Sequence, residues 1–197
     1  MPKGIPLTEE EQLRRRQEIF AASVNLFLEK GFNETSMREI ADAAGVGKST
    51  LYDYFKTKEE ILVSYFNTVI QQITERAQEI IQQDSSISEK LRNVMRMHLG
   101  LLVDNKQVFW KLSLEGQRLS LESQDLIQIK RHAYQDMLRA LIDEGIRLGE
   151  FRTINPLLAA RSVFSLLSIT VYTSRPTGTP EEMLEEALAI FFQGIQA

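Results

Sequence analysis

Residues 35–58 read TSMREIADAAGVGKSTLYDYFKTK. Apolar side chains recur at helical spacing before Gly45 and again after it, and the glycine separates the two helical patterns. A glycine at this point allows the positive φ that a tight turn requires. Two short helices that share an apolar face across such a turn form a helix-turn-helix. The stretch therefore predicts helices over residues 36–43 and 47–54.

The polar side chains of the second short helix carry the chemistry of this stretch. Lys48, Ser49, Thr50, Tyr52 and Tyr54 fall outside its apolar face, and all of them have ammonium or hydroxyl groups. Such groups donate hydrogen bonds to phosphate oxygens. The pattern therefore predicts a surface that contacts nucleic acid.

Proline and capping patterns extend the helical prediction to the rest of the chain. No proline occurs between Leu7 and Asn155, whereas strand-and-turn architectures recruit proline to their turns. The S/T-x-x-E pattern that starts helices occurs four times, at Thr8 with Glu11, Thr57 with Glu60, Ser86 with Glu89, and Thr179 with Glu182. We expect an all-α fold of about nine helices, spanning residues 8–30, 36–43, 47–54, 57–83, 87–104, 106–119, 123–148, 156–174 and 180–195.

Composition excludes several functional classes. The 197 residues include no cysteine and two widely separated histidines, which argues against disulfides, zinc sites and thiol catalysis. No residue set resembles a catalytic constellation, so we expect neither an enzyme nor a bound cofactor or metal. The first 16 residues lack the apolar region of a signal peptide, and the longest apolar stretch falls short of the about 20 residues of a membrane span. A cytoplasmic protein without membrane association is expected.

Residues 16–62 resemble the DNA-binding domain of the TetR family of bacterial transcription regulators. The residues that match the family pattern are Arg16, Ile19, Ala22, Leu26, Phe27, Gly31, Phe32, Thr35, Ile40, Ala41, Ala44, Gly45, Val46, Thr50, Leu51, Tyr52, Tyr54, Phe55, Lys58 and Leu62. The chain departs from the pattern at Gly47, where the family has Ser or Thr, and at Ser49, where it has Gly. Gly47 offers no side-chain cap for the second short helix.

The resemblance implies a DNA-binding surface and its geometry. The second short helix would enter the major groove, and a homodimer would bind double-stranded DNA at an inverted repeat. The implied DNA-binding residues are Thr35, Ser36, Arg38, Gly47, Lys48, Ser49, Thr50, Tyr52, Tyr54 and Lys58. Thr35, Ser36, Tyr52, Tyr54 and Lys58 would meet phosphates. Arg38, Lys48, Ser49 and Thr50 would reach base edges, with Lys48 the strongest candidate because lysine commonly pairs with guanine.

The remainder of the chain would bind an effector. The resemblance implies a helix-turn-helix DNA-binding domain over residues 1–58 and an effector-binding and dimerisation domain over 59–197. The effector pocket would lie between the fifth and eighth helices, lined by Met95, His98, Leu102, Phe109, Trp110, Tyr134, Met137, Phe164 and Leu167. Such methionine and aromatic side chains suit a small apolar or aromatic effector. Each of them is also an ordinary core residue type, and His98 has a capping or solvent-facing alternative.

The last two helices are expected to join the subunits. Ser162, Ser165 and Ser168 with Ala159 and Ile169 form a stripe that permits close approach. The second of these helices adds Leu184, Leu188, Phe191, Phe192 and Ile195. Two such helices from each subunit would make a four-helix bundle.

Other interpretations of the same residues are less consistent with the sequence. GVGKST at residues 45–50 suggests a phosphate-binding loop, but that motif needs glycine where Asp42 stands. Arg14, Arg15 and Arg16 suggest a basic arm on DNA, yet Glu10 and Glu11 are placed four residues before Arg14 and Arg15 to form ion pairs with them. Residues 1–58 contain nine basic and nine acidic residues, so DNA contacts must be focused rather than a broad basic field.

The function predicted from these features is a ligand-responsive transcription regulator that represses as a dimer and is released by its effector. A helical small-molecule-binding protein would explain the apolar C-terminal part but leaves residues 35–58 unexplained. A constitutive DNA binder without an effector is a further alternative. The sequence leaves open the effector, the operator, the regulated genes and the choice between repressor and activator.

Overall fold

The computed structural model describes residues 8–196, and these residues form nine α-helices. The helices are α1 (Glu9–Lys30), α2 (Met37–Ala43), α3 (Lys48–Tyr54), α4 (Lys58–Ile81), α5 (Ile87–Asp104), α6 (Lys106–Gly116), α7 (Leu121–Arg147), α8 (Pro156–Tyr172) and α9 (Pro180–Ile195). One isolated antiparallel bridge joins Phe151 to Gln196 in this part of the chain. The prediction of an all-α, nine-helix chain is confirmed; residues 1–7, which it assigned to the N-terminal domain, lie outside the described range.

Side-chain caps start several of these helices. Complete capping boxes stand at Thr8, Ser86 and Thr179, where the sequence predicts them. A further box pairs Ser36 with Glu39 at the start of α2. Because a capping box involves only four consecutive residues, sequence pattern locates most helix starts well.

The boundary between α6 and α7 differs from the prediction because of a contact distant in sequence. α6 ends at Gly116 rather than residue 119, and α7 begins at Leu121 rather than residue 123. Ser120 precedes α7, and its hydroxyl donates to a Glu59 carboxylate oxygen at 2.6 Å. The Ser123 hydroxyl donates to the same oxygen at 2.7 Å. These bonds to Glu59 support the start of α7, together with a long bond of 3.4 Å from the Ser123 amide to the Ser120 hydroxyl.

The backbone contacts divide the chain into two compact units. Unit 1 holds the described residues up to Phe66 together with Lys111–Asp125. Unit 2 holds Asn67–Trp110 and the described residues from Leu126 onward. The functional boundary expected after residue 58 stays a prediction, because it concerns which residues bind DNA and which bind an effector.

Unit 1 is built around two contacts between neighbouring helices. α2 packs against both α1 and α3. Ile19, Ile40, Leu51 and Phe55 have no exposed surface and form the centre of this unit. Gly45 has a φ of 63°, which confirms the positive φ expected at the turn between α2 and α3.

Unit 2 contains one large apolar core drawn from α4, α5, α7, α8 and α9. The α9 side chains expected at a subunit contact are buried in this core: Leu184, Leu188, Phe191, Phe192 and Ile195. That expectation was wrong because an amphipathic stripe looks the same whether it faces its own core or a second subunit. No helix among residues 8–196 combines the length and apolarity needed to cross a bilayer.

Candidate nucleic-acid interface and effector-binding unit

α3 presents a polar face outward because its apolar face is anchored in unit 1. Leu51 and the C-cap residue Phe55 are fully buried. Gly47, Lys48 and Ser49 at the start of the helix are exposed, whereas Thr50, Tyr52 and Tyr54 are half-buried. The Lys48 ammonium lies 6.0 Å from the centroid of the Tyr52 ring. The structure therefore gathers these six predicted residues on one short helix and its N-cap.

The residues predicted on α2 and just before it have three different environments. The Arg38 side chain is 85% exposed, with a long ion-pair distance of 3.9 Å to Asp42. Ser36 is exposed, and its hydroxyl takes part in the capping box of α2. Thr35 is 1% exposed, and its hydroxyl donates to the Gly31 carbonyl at 2.7 Å. In this conformation the Thr35 hydroxyl holds the turn before α2 and is not presented to a phosphate.

Lys58 is also engaged within unit 1. Its Nζ donates to the carbonyls of Phe32 at 2.7 Å and Asn33 at 3.1 Å. The ammonium also lies 4.9 Å from the centroid of the Phe32 ring. These contacts tie the turn after α1 to the first residue of α4.

Arg16 contacts α3, and the sequence did not suggest this role. Its Nη1 donates to the Tyr54 carbonyl at 3.2 Å, and its guanidinium lies 4.3 Å over the Phe55 ring. Arg14 and Arg15 instead approach Glu18, so the ion pairs expected with Glu10 and Glu11 are not the ones formed. The three arginines are consecutive in sequence, but successive side chains on a helix point in different directions. Arg16 therefore contacts α3, whereas Arg14 and Arg15 approach Glu18.

The predicted effector residues lie in unit 2, where three of their rings meet. The ring centroids of His98, Tyr134 and Phe164 are 5.4–5.8 Å apart in all three pairs. The Tyr134 hydroxyl lies 3.4 Å from His98 Nδ1. Burial lowers the pKa of His98 to about 4 and raises the pKa of Tyr134, so both side chains are neutral near pH 7.

The other predicted effector residues fall into two groups. Met95 and Leu167 are buried in the apolar core, and Leu102 and Met137 pack against it half-buried. Phe109 is half-buried, and Trp110 is 53% exposed, with its ring tilted against that of Tyr172 at a centroid distance of 5.5 Å. Within residues 8–196, no group of three or more His, Asp or Glu side chains could hold a metal ion.

An apolar surface remains on α8 and α9. Leu158, Ile169 and Ile190 are each 65% exposed. Ser165 lies between the first two on the same face of α8. A groove of about 260 Å³ runs between the two helices, lined in part by Ile169 and Ile190. In the stripe predicted on α8, Ser165, Ser168 and Ile169 are exposed and Ser162 is half-buried, whereas Ala159 is buried in the core, as the predicted α9 residues are.

Two family profiles match the chain. Residues 19–65 match the profile described as bacterial regulatory proteins, tetR family. Residues 84–195 match the profile described as tetracyclin repressor-like, C-terminal domain. The two matches correspond to the helix-turn-helix and to most of the C-terminal helices.

Several known proteins are similar to this chain over most of its length. The fatty acid metabolism regulator protein of Bacillus subtilis is 32% identical over 157 residues, covering 79% of this chain and 81% of the relative. The HTH-type transcriptional repressor KstR2 of Mycolicibacterium smegmatis is 26% identical over 197 residues, covering 96% of this chain and 95% of the relative. The crystal structure of FadR from Bacillus subtilis in complex with stearoyl-CoA superposes with a TM-score of 0.79 and 29% identity, covering 91% of this chain and 99% of that one.

Proposed function

Because the chain belongs to the TetR family of bacterial regulatory proteins, we propose that it is a dimeric repressor released from an inverted-repeat operator by a long-chain acyl thioester. Membership of the family makes it a DNA-binding transcription regulator. The dimer, the operator symmetry, the contact residues and the effector class are the proposed parts.

The exposed face of α3 is the observation that carries the DNA-binding proposal. Lys48 and Ser49 are exposed at the start of this helix, and Thr50 is beside them. In the major groove these side chains would read base edges, with Lys48 donating to a guanine. Further DNA contacts would come from Arg38, Ser36, Tyr52 and Tyr54. Thr35 and Lys58 would instead stabilise the turn between α1 and α2 through their hydrogen bonds within unit 1.

The exposed apolar face of α8 and α9 supports the dimer. Leu158, Ile169 and Ile190 would lose their contact with water if the same face of a second subunit covered them. Ser162 and Ser165 are small enough for two α8 helices to approach closely. Such a contact is self-complementary, as a two-fold axis requires. It would set the spacing of the two α3 helices on DNA.

The effector class is proposed from the interior of unit 2 and from the relatives. FadR from Bacillus subtilis was crystallised in complex with stearoyl-CoA, and the similar regulator protein of the same organism is named for fatty acid metabolism. In this chain the predicted pocket residues are mainly apolar, and the polar pair His98 and Tyr134 is neutral near pH 7. A neutral, apolar environment favours an acyl chain that ends in an uncharged thioester group over one that ends in a carboxylate, whose burial carries a large desolvation cost.

Release would follow from differential affinity. An effector that binds better to a conformation with the two α3 helices misplaced for successive major grooves shifts the protein away from DNA. A nearly complete shift requires an affinity ratio of about 10⁴ between the two conformations. No catalytic step is involved.

The test has two stages. The protein is first used to select bound DNA from a random library, and an enriched inverted repeat is the expected result. Release from that operator is then titrated with stearoyl-CoA, with coenzyme A and stearate as matched controls. Release by stearoyl-CoA alone supports the effector class. Enrichment without release would indicate a constitutive DNA binder, and stearoyl-CoA binding without enrichment would indicate a helical ligand-binding protein.

A further inference from the structure

Arg16 connects α1 to the end of α3. It is half-buried, whereas Arg14, two residues earlier on the same helix, is exposed. Its guanidinium donates to the carbonyl of Tyr54, the last residue of α3, and covers the ring of the fully buried Phe55. The two contacts hold the guanidinium plane from an edge and from a face, so its position is well defined.

The C-terminal end of α3 needs such a partner. α3 has seven residues, too few to be a stable helix without tertiary contacts. The last carbonyls of a helix have no partner within it, and cations complement its negative end. The Lys56 ammonium donates to the Tyr52 carbonyl, but Lys56 follows α3 directly and moves with it. Arg16 comes from α1 and therefore fixes the end of α3 relative to the rest of unit 1.

The opposite end of α3 lacks a comparable support. Its N-cap is Gly47, which makes no side-chain hydrogen bond to the helix. Leu51 and Phe55 anchor the inner face by packing, which tolerates small rotations more readily than a directional hydrogen bond does. The bond from Arg16 to Tyr54 thus restrains the rotation of the helix that carries Lys48 and Ser49.

We propose that Arg16 is a positioning residue for DNA recognition, which holds α3 in its orientation within unit 1 and does not itself contact the DNA. This inference rests on the proposed function, in that α3 must be the helix that reads the operator. A basic residue near a DNA-binding helix has an obvious alternative role, a direct phosphate contact. The two roles differ in how operator binding depends on salt. A phosphate contact contributes to the slope of log K against log salt, whereas an internal support does not.

The experiment compares three variants on the selected operator and on unrelated DNA, at several salt concentrations. Arg16→Met should weaken operator binding by about ten-fold, the factor expected for one lost charge-assisted hydrogen bond, without changing the salt slope. Its affinity for unrelated DNA should stay close to that of the unsubstituted protein. Arg16→Lys should also bind the operator weakly, because lysine retains the charge but lacks the planar group that stacks on Phe55. Arg14→Met removes the same charge from an exposed site and should behave like the unsubstituted protein.

Two results would overturn the inference. Arg16→Met could bind the operator as tightly as the unsubstituted protein. Alternatively, its salt slope could fall by about one per subunit while Arg16→Lys restores affinity, as a phosphate contact predicts. If Arg16→Met does not fold, Arg16→Lys decides the question: weak operator binding with an unchanged slope supports the inference, and full affinity refutes it. Failure of the unsubstituted protein to select any DNA would instead reject the proposed function.

Discussion

The burial of His98 predicts a specific loss of stability in acid. His98 is 7% exposed in unit 2, and burial lowers its pKa from 6.5 to about 4. In the unfolded chain the imidazole regains its ordinary pKa and binds a proton more readily than in the folded protein. Protonation therefore stabilises the unfolded state as the pH falls below 6.5, and the effect is complete below about pH 4.

The magnitude follows from the two pKa values. Each unit of difference is worth about 1.4 kcal/mol, so the full effect is about 3 kcal/mol. Between pH 7.5 and pH 5.0, where the unfolded imidazole becomes mostly protonated, the free energy of unfolding should fall by about 2 kcal/mol from this residue. Carboxylates that titrate over the same interval are shared by all variants and cancel when variants are compared.

The assay is urea unfolding at pH 7.5 and pH 5.0, at one protein concentration. His98→Gln replaces the imidazole with a neutral amide, so this variant should lose about 2 kcal/mol less than the unsubstituted protein over the interval. His132→Gln is the matched control, because it makes the same substitution at an exposed position on α7. Equal pH dependence in the unsubstituted protein and His98→Gln would refute the burial argument and, with it, the neutral interior invoked for the effector.

Four further outcomes follow from the structure. Lys48→Ala should weaken operator binding by about 1–3 kcal/mol, and an unchanged dissociation constant by fluorescence anisotropy would remove Lys48 from the base contacts. Ile190→Asp places a charge on the exposed face of α9, and sedimentation at micromolar concentration should show monomers; a persistent dimer would locate the subunit contact elsewhere. Glu59→Gln weakens the bonds from Ser120 and Ser123 and should lower the free energy of urea unfolding by about 1 kcal/mol, whereas no change would show that these bonds are dispensable. Gly145→Ala overlaps the packed ring of Phe151 and should cost about 1–3 kcal/mol in thermal unfolding, while Gly100→Ala, with open space around it, should not destabilise.

Local features of the chain predicted most of the fold. Capping boxes and the prolines at 156 and 180 located helix starts, because these signals involve residues within one turn of each other. The start of α7 was misplaced by two residues, and Ser120 just before it is bonded to Glu59, which is 61 residues away. Such a contact leaves no periodic signal in the sequence.

The candidate site was predictable to a different degree at each residue. The exposure of Ser49 follows from the helical period once Leu51 faces inward, whereas Lys48, three residues before Leu51, is exposed at the first position of α3. Thr35 and Lys58 match the family pattern equally well, but the structure turns their polar groups toward carbonyls within unit 1. A motif match identifies the residue type that a position requires, and it does not say whether that residue faces the ligand or the core.

The amino-acid order thus specified the helices, the turn at Gly45 and the family, because hydrophobic period and capping act over a few residues. Tertiary packing decided which neighbouring element each long side chain and each apolar stripe contacts. The guanidinium of Arg16 reaches a carbonyl 38 residues away. The apolar stripe of α9 is buried in its own unit. Both outcomes depend on elements brought together from distant parts of the chain, and spacing along a single helix carries no information about its neighbour.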